Sequence, residues 1–447
     1  YYDYDSLDDS EDFERLRELV ENIYTNEYLD KLLQKWNSGI LEEDASGKLP
    51  LQIDFYDSNI GGLKDRTVVI ISDALRYEVG HELYTVLADD PKSNIKIDMS
   101  LSVLPSYTRL GMAALFPHKS ITMSDDYTVL VDGMSCDNLL TRQNILQRYC
   151  NNGICVQFDD IKNMKKSELR DIFTGKQLVY VYHNQIDARG DKVNTEDEVF
   201  VACKEAVNEI ADLIRRISSN ANTHHFIVTA DHGFIYKRDK LNESDKINVR
   251  DRNAFVNRRF IVSTEAIYED GIENISMGRI LRNDDGKVVS FPISSNVFKV
   301  SGGGQNFVHG GSSPQEMLIP VLNIKMERGH IDTGNAQIAL VSMVQKITSN
   351  VTVLEFIQSE AVSDTVKATT YKLYFISDDN EKISNEATLF ADSRELDARK
   401  RIFRMNFRFK DKRYDKNKNY YLAAYDEGSG EEIWRHHVVM DLVGESF

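Results

Sequence analysis

From Thr67 onward the chain alternates between two hydrophobic patterns. Thr67–Ile71 (TVVII) and Leu178–Tyr182 (LVYVY) are continuous apolar runs rich in β-branched and aromatic residues, and Ile95–Met99 and Phe226–Thr229 read as further strands. Between them apolar residues recur every three or four positions: Leu75, Val79, Leu83 and Leu87, then a helix around Arg109–Leu115, then Val199, Ala202, Ala206, Ile210, Leu213 and Ile217 in a long helix over roughly Glu196–Ile217. Apolar strands alternating with amphipathic helices predict an α/β fold, a mainly parallel sheet covered by helices on both faces. Strand Phe226–Thr229 closes that series.

The flanks carry other patterns. Leu16, Leu19, Val20, Ile23 and Tyr24, then Leu29, Leu32, Leu33 and Trp36, have helical spacing, and Gly39 is placed to end the second helix. Residues 1–60 therefore read as an N-terminal helical segment, the tail of an upstream domain or a support for the next one. Residues 61–333 form the α/β domain, with a charged, turn-rich insertion at about 237–300. From 334 to 447 short strands (Ile338–Val341, Val351–Phe356, Thr370–Ile376, Ile402–Phe409, Tyr420–Tyr425, His437–Leu442) predict a β-sandwich-like domain.

Composition narrows the class. With 41% hydrophobic and 28% charged residues among 447, the chain can bury a core. No apolar run reaches the roughly 18–20 residues of a membrane helix. Acidic residues outnumber basic ones 71 to 54, a net charge of −17, so the surface as a whole does not attract nucleic acid. Cys136, Cys150, Cys155 and Cys203 form no CxxC pair, which points to buried thiols in a reducing, cytoplasmic setting. Six acids among the first dozen residues read as a solvated lead-in. The chain does not begin with Met, which suggests a piece of a longer protein.

Three apolar strands end in side chains that bind metal. Asp73 follows the first, His183 with Asp187 and Asp191 the second, and Asp231-His232-Gly233 the third. In a parallel α/β sheet these strand ends meet on one rim. Carboxylate and imidazole ligands suit zinc or manganese. Further on lie Gly302-Gly303-Gly304 and His309-Gly310-Gly311. Each feature has a plain structural alternative: Asp73 as a helix N-cap, Asp231-His232-Gly233 as a turn, His183 as a satisfied core histidine, His309 as part of a flexible loop. The combination points to a metal site. Ser106 and Thr108, in Leu104-Pro105-Ser106-Tyr107-Thr108-Arg109, open a helix where a hydroxyl beside a metal becomes a nucleophile; capping is the alternative.

The order of these segments resembles the alkaline phosphatase superfamily. ISDALRYEVGHEL, LPSYTRLGMAALFPH, YVYHNQIDARGD, TADHGFIY and HGGSSPQEMLIPV are similar to the PglZ family, the phosphatase-like component of BREX bacteriophage defence, over roughly residues 60–330. The resemblance implies an alkaline-phosphatase-like fold with two divalent ions, zinc or manganese. Asp73, Thr108, Asp231 and His232 would hold one ion; Asp187, Asp191 and His309 the other. Thr108 would be the nucleophile, with Ser106 its rival, and Arg109 or Arg76 would bind a non-bridging oxygen. The family pattern Asp-x-x-x-His is here Asp187-x-x-x-Asp191, which adds negative charge and favours a harder ion, or leaves that pocket weak with His183 as substitute ligand.

The expected activity is hydrolysis of a phosphoester, by a phosphatase or a phosphodiesterase or nuclease, with DNA a candidate substrate. The alternative is a non-catalytic, metal-binding assembly component that docks a DNA methyltransferase or an ATPase. A sulfatase lacks support, since no Cys-x-Pro-x-Arg motif occurs at the nucleophile segment, and a mutase would need a sugar-phosphate pocket that the sequence does not show. Arg399–Lys418, with ten basic residues and Phe403, Phe407, Phe409 and Tyr414 between them, reads either as the solvated face of a β-hairpin or as a nucleic-acid or partner contact.

Overall fold

The computed structural model describes residues 14–41, 49–238, 241–249, 254–300, 306–327, 334–363, 366–416 and 418–442. The acidic lead-in and Gly302-Gly303-Gly304 lie outside them. The chain divides into two compact units, Tyr1–Arg328 and Gly329–Phe447.

The first unit is built on a six-stranded sheet of β1 (Thr67–Ser72), β2 (Ser93–Leu101), β3 (Gly153–Gln157), β4 (Leu178–His183), β5 (His225–Thr229) and β6 (Leu318–Met326). Its order is β2-β6-β5-β1-β4-β3. β1 pairs in parallel with β4 and β5, and β3 with β4. β6 runs antiparallel between β2 and β5. Every residue of β1 and β4 is buried, as two covered faces require. Alternate residues of β1 therefore serve different layers. Val68 and Ile70 pack with α1 (Tyr77–Ala88) and the long helix α5 (Val199–Ala221). Val69 and Ile71 pack with α2 (Thr108–Ala114) and α3 (Leu139–Tyr149) on the opposite face.

The sheet does not close at β5. After the insertion the chain returns as β6, which reads weakly in sequence because of Pro320; pairing with β5 starts one residue later, at Val321, so the missing N–H falls where that ladder has not begun. β3 was also not foreseen: it is five residues at the sheet edge. The insertion forms a four-stranded antiparallel sheet, Phe255–Val256, Ile261–Ser263, Val288–Pro292 and Ile272–Ser276. It buries Phe260, Val262, Val289 and Phe291 in the core that holds α2.

The N-terminal helices are anchored on this unit. Leu29 and Leu33 are fully buried with Ile235, Val297 and Val308. Trp36 Nε1 donates to Ser312 O at 2.5 Å, and Asn37 Nδ2 to Ile293 O at 2.9 Å. Gly39 does not stop its helix, which runs from Asp30 to Leu41; a single glycine costs about 1 kcal/mol in a helix, less than tertiary packing supplies.

The second unit has two sheets. β7 (Ile338–Leu340), β8 (Val351–Gln358) and β11 (Ile402–Arg408) form one; β9 (Thr369–Ser377), β10 (Ala387–Ala391), β12 (Tyr420–Asp426) and β13 (Glu432–Met440), with Lys346–Ile347, form the other. Leu354, Phe356 and Phe407 from the first meet Leu373, Phe375, Leu422 and Val438 from the second in one core, a β-sandwich arrangement.

Candidate metal centre and nucleophile

The strand ends of β1 and β5 place Asp73 and Asp231-His232 side by side. Asp73 is not a helix cap, since α1 begins at Tyr77 without a side-chain cap. Its N–H donates to His183 O at 2.8 Å, continuing the β1–β4 ladder by one residue. Ala74 then adopts a left-handed conformation, φ 62°, unusual for a residue with a Cβ. That turn aims its N–H at Asp231 Oδ1, 3.2 Å away, while His232 N–H donates to the same oxygen at 3.0 Å. One carboxylate oxygen of Asp231 is thus fixed by the backbone. The other, Oδ2, is buried and unpartnered.

His232 is fully buried, and its Nδ1 lies 2.9 Å from Gly233 O. A carbonyl only accepts, so Nδ1 carries the proton and Nε2 presents its lone pair. Nε2 lies 3.5 Å from Asp73 Oδ1, 3.5 Å from Asp231 Oδ2 and 3.1 Å from Thr108 Oγ1. The His309 ring stacks on it, centroids 4.1 Å apart, and His309 Nε2 lies 3.8 Å from Asp187 Oδ1. Two groups of ligand atoms result, Asp73–Asp231–His232 and Asp187–His232–His309, each within 4.8 Å.

Burial makes this cluster unfavourable without a cation. Desolvation first, then the charges of Asp231 and Asp187, raise the Asp73 carboxyl well above the usual range, while Arg142 pulls the other way. Burial and Asp187 push Asp231 up to about 7. Burial raises Asp187 too, against the opposing pull of His309. Burial and the neighbouring His309 hold His232 neutral, well below the ordinary imidazole value. Asp73 Oδ1, Asp187 Oδ1, Asp231 Oδ2 and His309 Nδ1 are buried without a hydrogen-bond partner. Convergent, desolvated, unpaired acceptors of this kind fit a divalent cation.

Thr108 is the first residue of α2. The helix reaches the Asp231 turn because of Gly111, where a Cβ would lie 2.2 Å from Asp231 O. Ser106 is differently engaged: fully buried, it donates from Oγ to Gly311 O at 2.6 Å, and its N–H donates to Gly310 O. It ties the segment leading into Thr108 to the His309 loop. Thr108 is therefore the hydroxyl that faces the cluster.

The family model of the BREX system PglZ alkaline phosphatase-like domain matches residues 58–324. The chain belongs to the PglZ family. It is similar to the alkaline phosphatase-like protein PglZ of Bacillus cereus, 38% identical over 443 residues, covering 97% of this chain and 52% of that protein. It is also similar to the alkaline phosphatase-like protein BrxZ of Escherichia coli, 29% identical, covering 96% of this chain and 51% of that protein. The chain thus spans about half the length of these curated relatives. Among solved structures, murine ectonucleotide pyrophosphatase/phosphodiesterase 5 matches with a TM-score of 0.41 and 12% identity, over 58% of this chain and 88% of that one.

Within this PglZ-family unit the other expected site residues are placed as follows. Asp191 is exposed at the end of α4 (Ile186–Gly190), one turn past Asp187, and joins neither ligand group. His183 does not reach the cluster: Nδ1 is 2.9 Å from Ser72 Oγ and Nε2 3.0 Å from Glu209 Oε2, so both ring nitrogens are satisfied in the core. Arg109 is 57% exposed, with Nε 3.7 Å from Asp137 Oδ1. Arg76 is buried, paired with Glu78 and set over the Phe234 ring at 4.9 Å.

Of the supporting residues that the sequence did not single out, Gln52 and Arg259 lie outside the motifs and Glu316 within the last of them. Gln52 is fully buried; Nε2 donates to Ala230 O and Asp231 O, and Oε1 accepts from Val103 N–H, so one amide holds the Asp231 turn and the strand exit before Thr108. Arg259, from the insertion, and Glu316 are both fully buried and form a two-pronged pair at 3.1 Å. Glu316 also accepts from Gly311 N–H at 2.8 Å and Ser313 N–H at 3.1 Å, shaping the loop behind His309. Gly310, at φ 114°, allows that loop its turn. Ser313-Pro314-Gln315-Glu316 is a capping box, the one signal that pointed to Glu316. Nothing local pointed to Gln52 or Arg259.

In the second unit most of the basic stretch is paired. Arg399 pairs with Asp397, Lys400 with Glu395, Arg404 with Glu355, Lys410 and Lys412 with Glu381, Lys416 with Asp441, and Lys418 with Asp379. Arg401 is buried and donates to four backbone carbonyls. These pairings favour the structural reading of the stretch. Among the described residues, no helix is long and apolar enough to cross a membrane.

Proposed function

We propose that the first unit is a metal-dependent phosphoester hydrolase with Thr108 as nucleophile. The supporting observation is that Asp73 Oδ1 and Asp231 Oδ2, buried and unpartnered, each lie 3.5 Å from the His232 nitrogen that Thr108 contacts, with Asp187 and His309 grouped on the same imidazole. Asp73, Asp231 and His232, with Thr108, would hold one divalent ion. Asp187 and His309, with Asp191 at the rim, would hold the other, zinc or manganese. Bound ions supply Lewis-acid polarisation of the phosphoryl group and a more acidic hydroxyl.

The chain's own residues prepare that chemistry. Ala74 and His232 N–H groups fix one Asp231 oxygen, leaving the other free to ligate. The Gly233 carbonyl fixes the His232 tautomer. α2 delivers the Thr108 hydroxyl to the rim. Its oxygen attacks phosphorus, the ester oxygen leaves, and water then cleaves the phosphothreonine to regenerate the hydroxyl. Arg109, as expected from the resemblance, belongs to the same segment. The acidic composition and the paired ribbon offer no broad face for DNA, so a small phosphoester or a strand end suits the site better than duplex. Other BREX proteins, such as a DNA methyltransferase or an ATPase, are the proposed partners. The unpaired cysteines fit a cytoplasmic location.

The test is metal analysis followed by assay. Wild type should carry two equivalents of transition metal, with a loss in both Asp73→Ala and His309→Ala. Thr108→Ala should keep its metal and lose at least about a thousandfold in turnover of phosphomonoester or phosphodiester substrates. A wild type that binds no metal after loading would defeat the hydrolase reading in favour of an assembly component.

A further inference from the structure

The two imidazoles of the cluster are mounted differently. His232 is oriented by its own hydrogen bond, Nδ1 to Gly233 O. His309 has no such tie: its Nδ1 is without a hydrogen-bond partner, and its Nε2 lies 3.8 Å from Asp187 Oδ1. A ligand histidine that lacks an orienting partner depends on the backbone that carries it. Glu316 and Ser106 hold part of that backbone, at Gly311 and Ser313. A further hold comes from the helix Asp30–Leu41, remote in the chain.

That helix engages both flanks of His309. Before it, Val308 is buried against Leu29 and Leu33. After it, the fully buried Ser312 accepts at its carbonyl from Trp36 Nε1 and donates from Oγ to Asn37 Oδ1 at 2.6 Å. The helix is itself fastened to the insertion. Asn37 donates to Ile293 O, and Asp30 Oδ1 accepts from Ser295 N–H and Oγ. Asp30, Leu33, Trp36 and Asn37 are spaced to share one helix face. Two side-chain hydrogen bonds from that face converge on a residue three places past a candidate metal ligand.

We propose that the helix Asp30–Leu41 positions His309, and so sets the affinity of the Asp187–His309 half of the centre for a divalent cation. Trp36 and Asn37 are positioning residues that act through Ser312. The inference deepens the hydrolase reading by naming what governs its second ion, and it rests on that reading for the two-ion centre. Asp231 and His232 are fixed by their own backbone hydrogen bonds, so the Asp73–Asp231–His232 group should be indifferent to the helix.

The experiment is zinc titration of the metal-free chain against a chromophoric chelator. The chains are wild type, Trp36→Phe and Ser312→Ala, with Trp36→Phe also placed in His309→Ala and Asp73→Ala backgrounds. Thermal melts, amide hydrogen exchange and ester hydrolysis accompany it. Trp36→Phe keeps an aromatic ring and removes the N–H; it should weaken one of two ions roughly tenfold and leave the other unchanged. Ser312→Ala should do the same. The loss should persist with Asp73→Ala and vanish with His309→Ala, a coupling that a general loss of stability would not produce. In the metal-free chain, the amides of residues 309–313 should exchange faster in Trp36→Phe than in wild type. Equal weakening of both ions, a loss that remains in the His309→Ala background, or unchanged exchange overturns the proposal. Ester hydrolysis by a Trp36→Phe chain that binds both ions as wild type does overturns the positioning role and keeps the hydrolase reading. A chain that shows the coupling yet hydrolyses no ester supports the positioning role and defeats the hydrolase reading.

Discussion

The candidate metal cluster and the basic ribbon are both dense collections of ionisable side chains, and they are opposites. In the ribbon seven of the ten cations pair with carboxylates of their own unit. In the centre Asp73, Asp231 and His232 are buried and Asp187 and His309 half-buried, the carboxylates repelling one another and short of partners. Surface pairs of the first kind contribute little and are screened by salt. A buried cluster of the second kind persists only if the surrounding fold forces it together and a ligand relieves it. Charge density alone therefore does not single out the candidate site; burial and unmet hydrogen bonding do.

The sharpest way to break this contrast is to remove a charge that the fold has already satisfied in the interior. Glu316→Ala leaves Arg259 buried and unpaired, and should cost about 3–5 kcal/mol in urea unfolding. It should also loosen the His309 loop, so metal content should fall with stability. A loss under 1 kcal/mol would show that the pair does not hold that loop.

Gly111→Ala comes next. Its Cβ would press on the Asp231 carbonyl, against backbone that cannot swing aside. A destabilisation of about 1–3 kcal/mol is expected from thermal or urea melts, with weakened metal binding.

The third prediction uses pH. The folded Asp231 carboxyl is raised to about 7, far above its unfolded value, so the metal-free native state takes up a proton that the unfolded chain does not. Stability of the metal-free chain should rise from pH 8 to pH 6, by about 1 kcal/mol from Asp231 alone. Asp73, raised as well, adds to that gain; His232, held neutral, opposes it toward the acid end. Added zinc should reverse the slope, because the ion displaces those protons. Melting curves with chelator and with zinc at the two pH values decide it; identical slopes would mean that the ion does not occupy this cluster.

The smallest effect belongs to the ribbon. Arg404→Ala removes an exposed pair with Glu355 and should change stability by no more than about 1 kcal/mol, less in high salt. Loss of a nucleic acid or protein partner in that variant would restore the contact reading of the stretch.

Much of the frame was legible in the chain. Continuous apolar runs gave β1, β4 and β5, since a strand covered on both faces has no polar positions. Period-2 and turn signals gave the sandwich of the second unit. The ligand segments Asp73, Asp187, Asp231-His232 and His309 stood out because each follows an apolar strand or precedes glycines. β6 was missed through its proline, and β3 through its shortness. Arg109 stood out for its place beside Thr108, yet its side chain points to Asp137.

By itself, the sequence determined which segments form the sheet and which side chains exit it, because those depend on periodicity and local chain geometry. Only the tertiary structure decided that Thr108 and not Ser106 faces the cluster, that His183 is satisfied within the core, and that Gln52, Arg259 and Glu316 brace the segments around it. Those outcomes depend on contacts between residues far apart in the chain. No local pattern encodes where an unpaired donor or acceptor will find its partner in space.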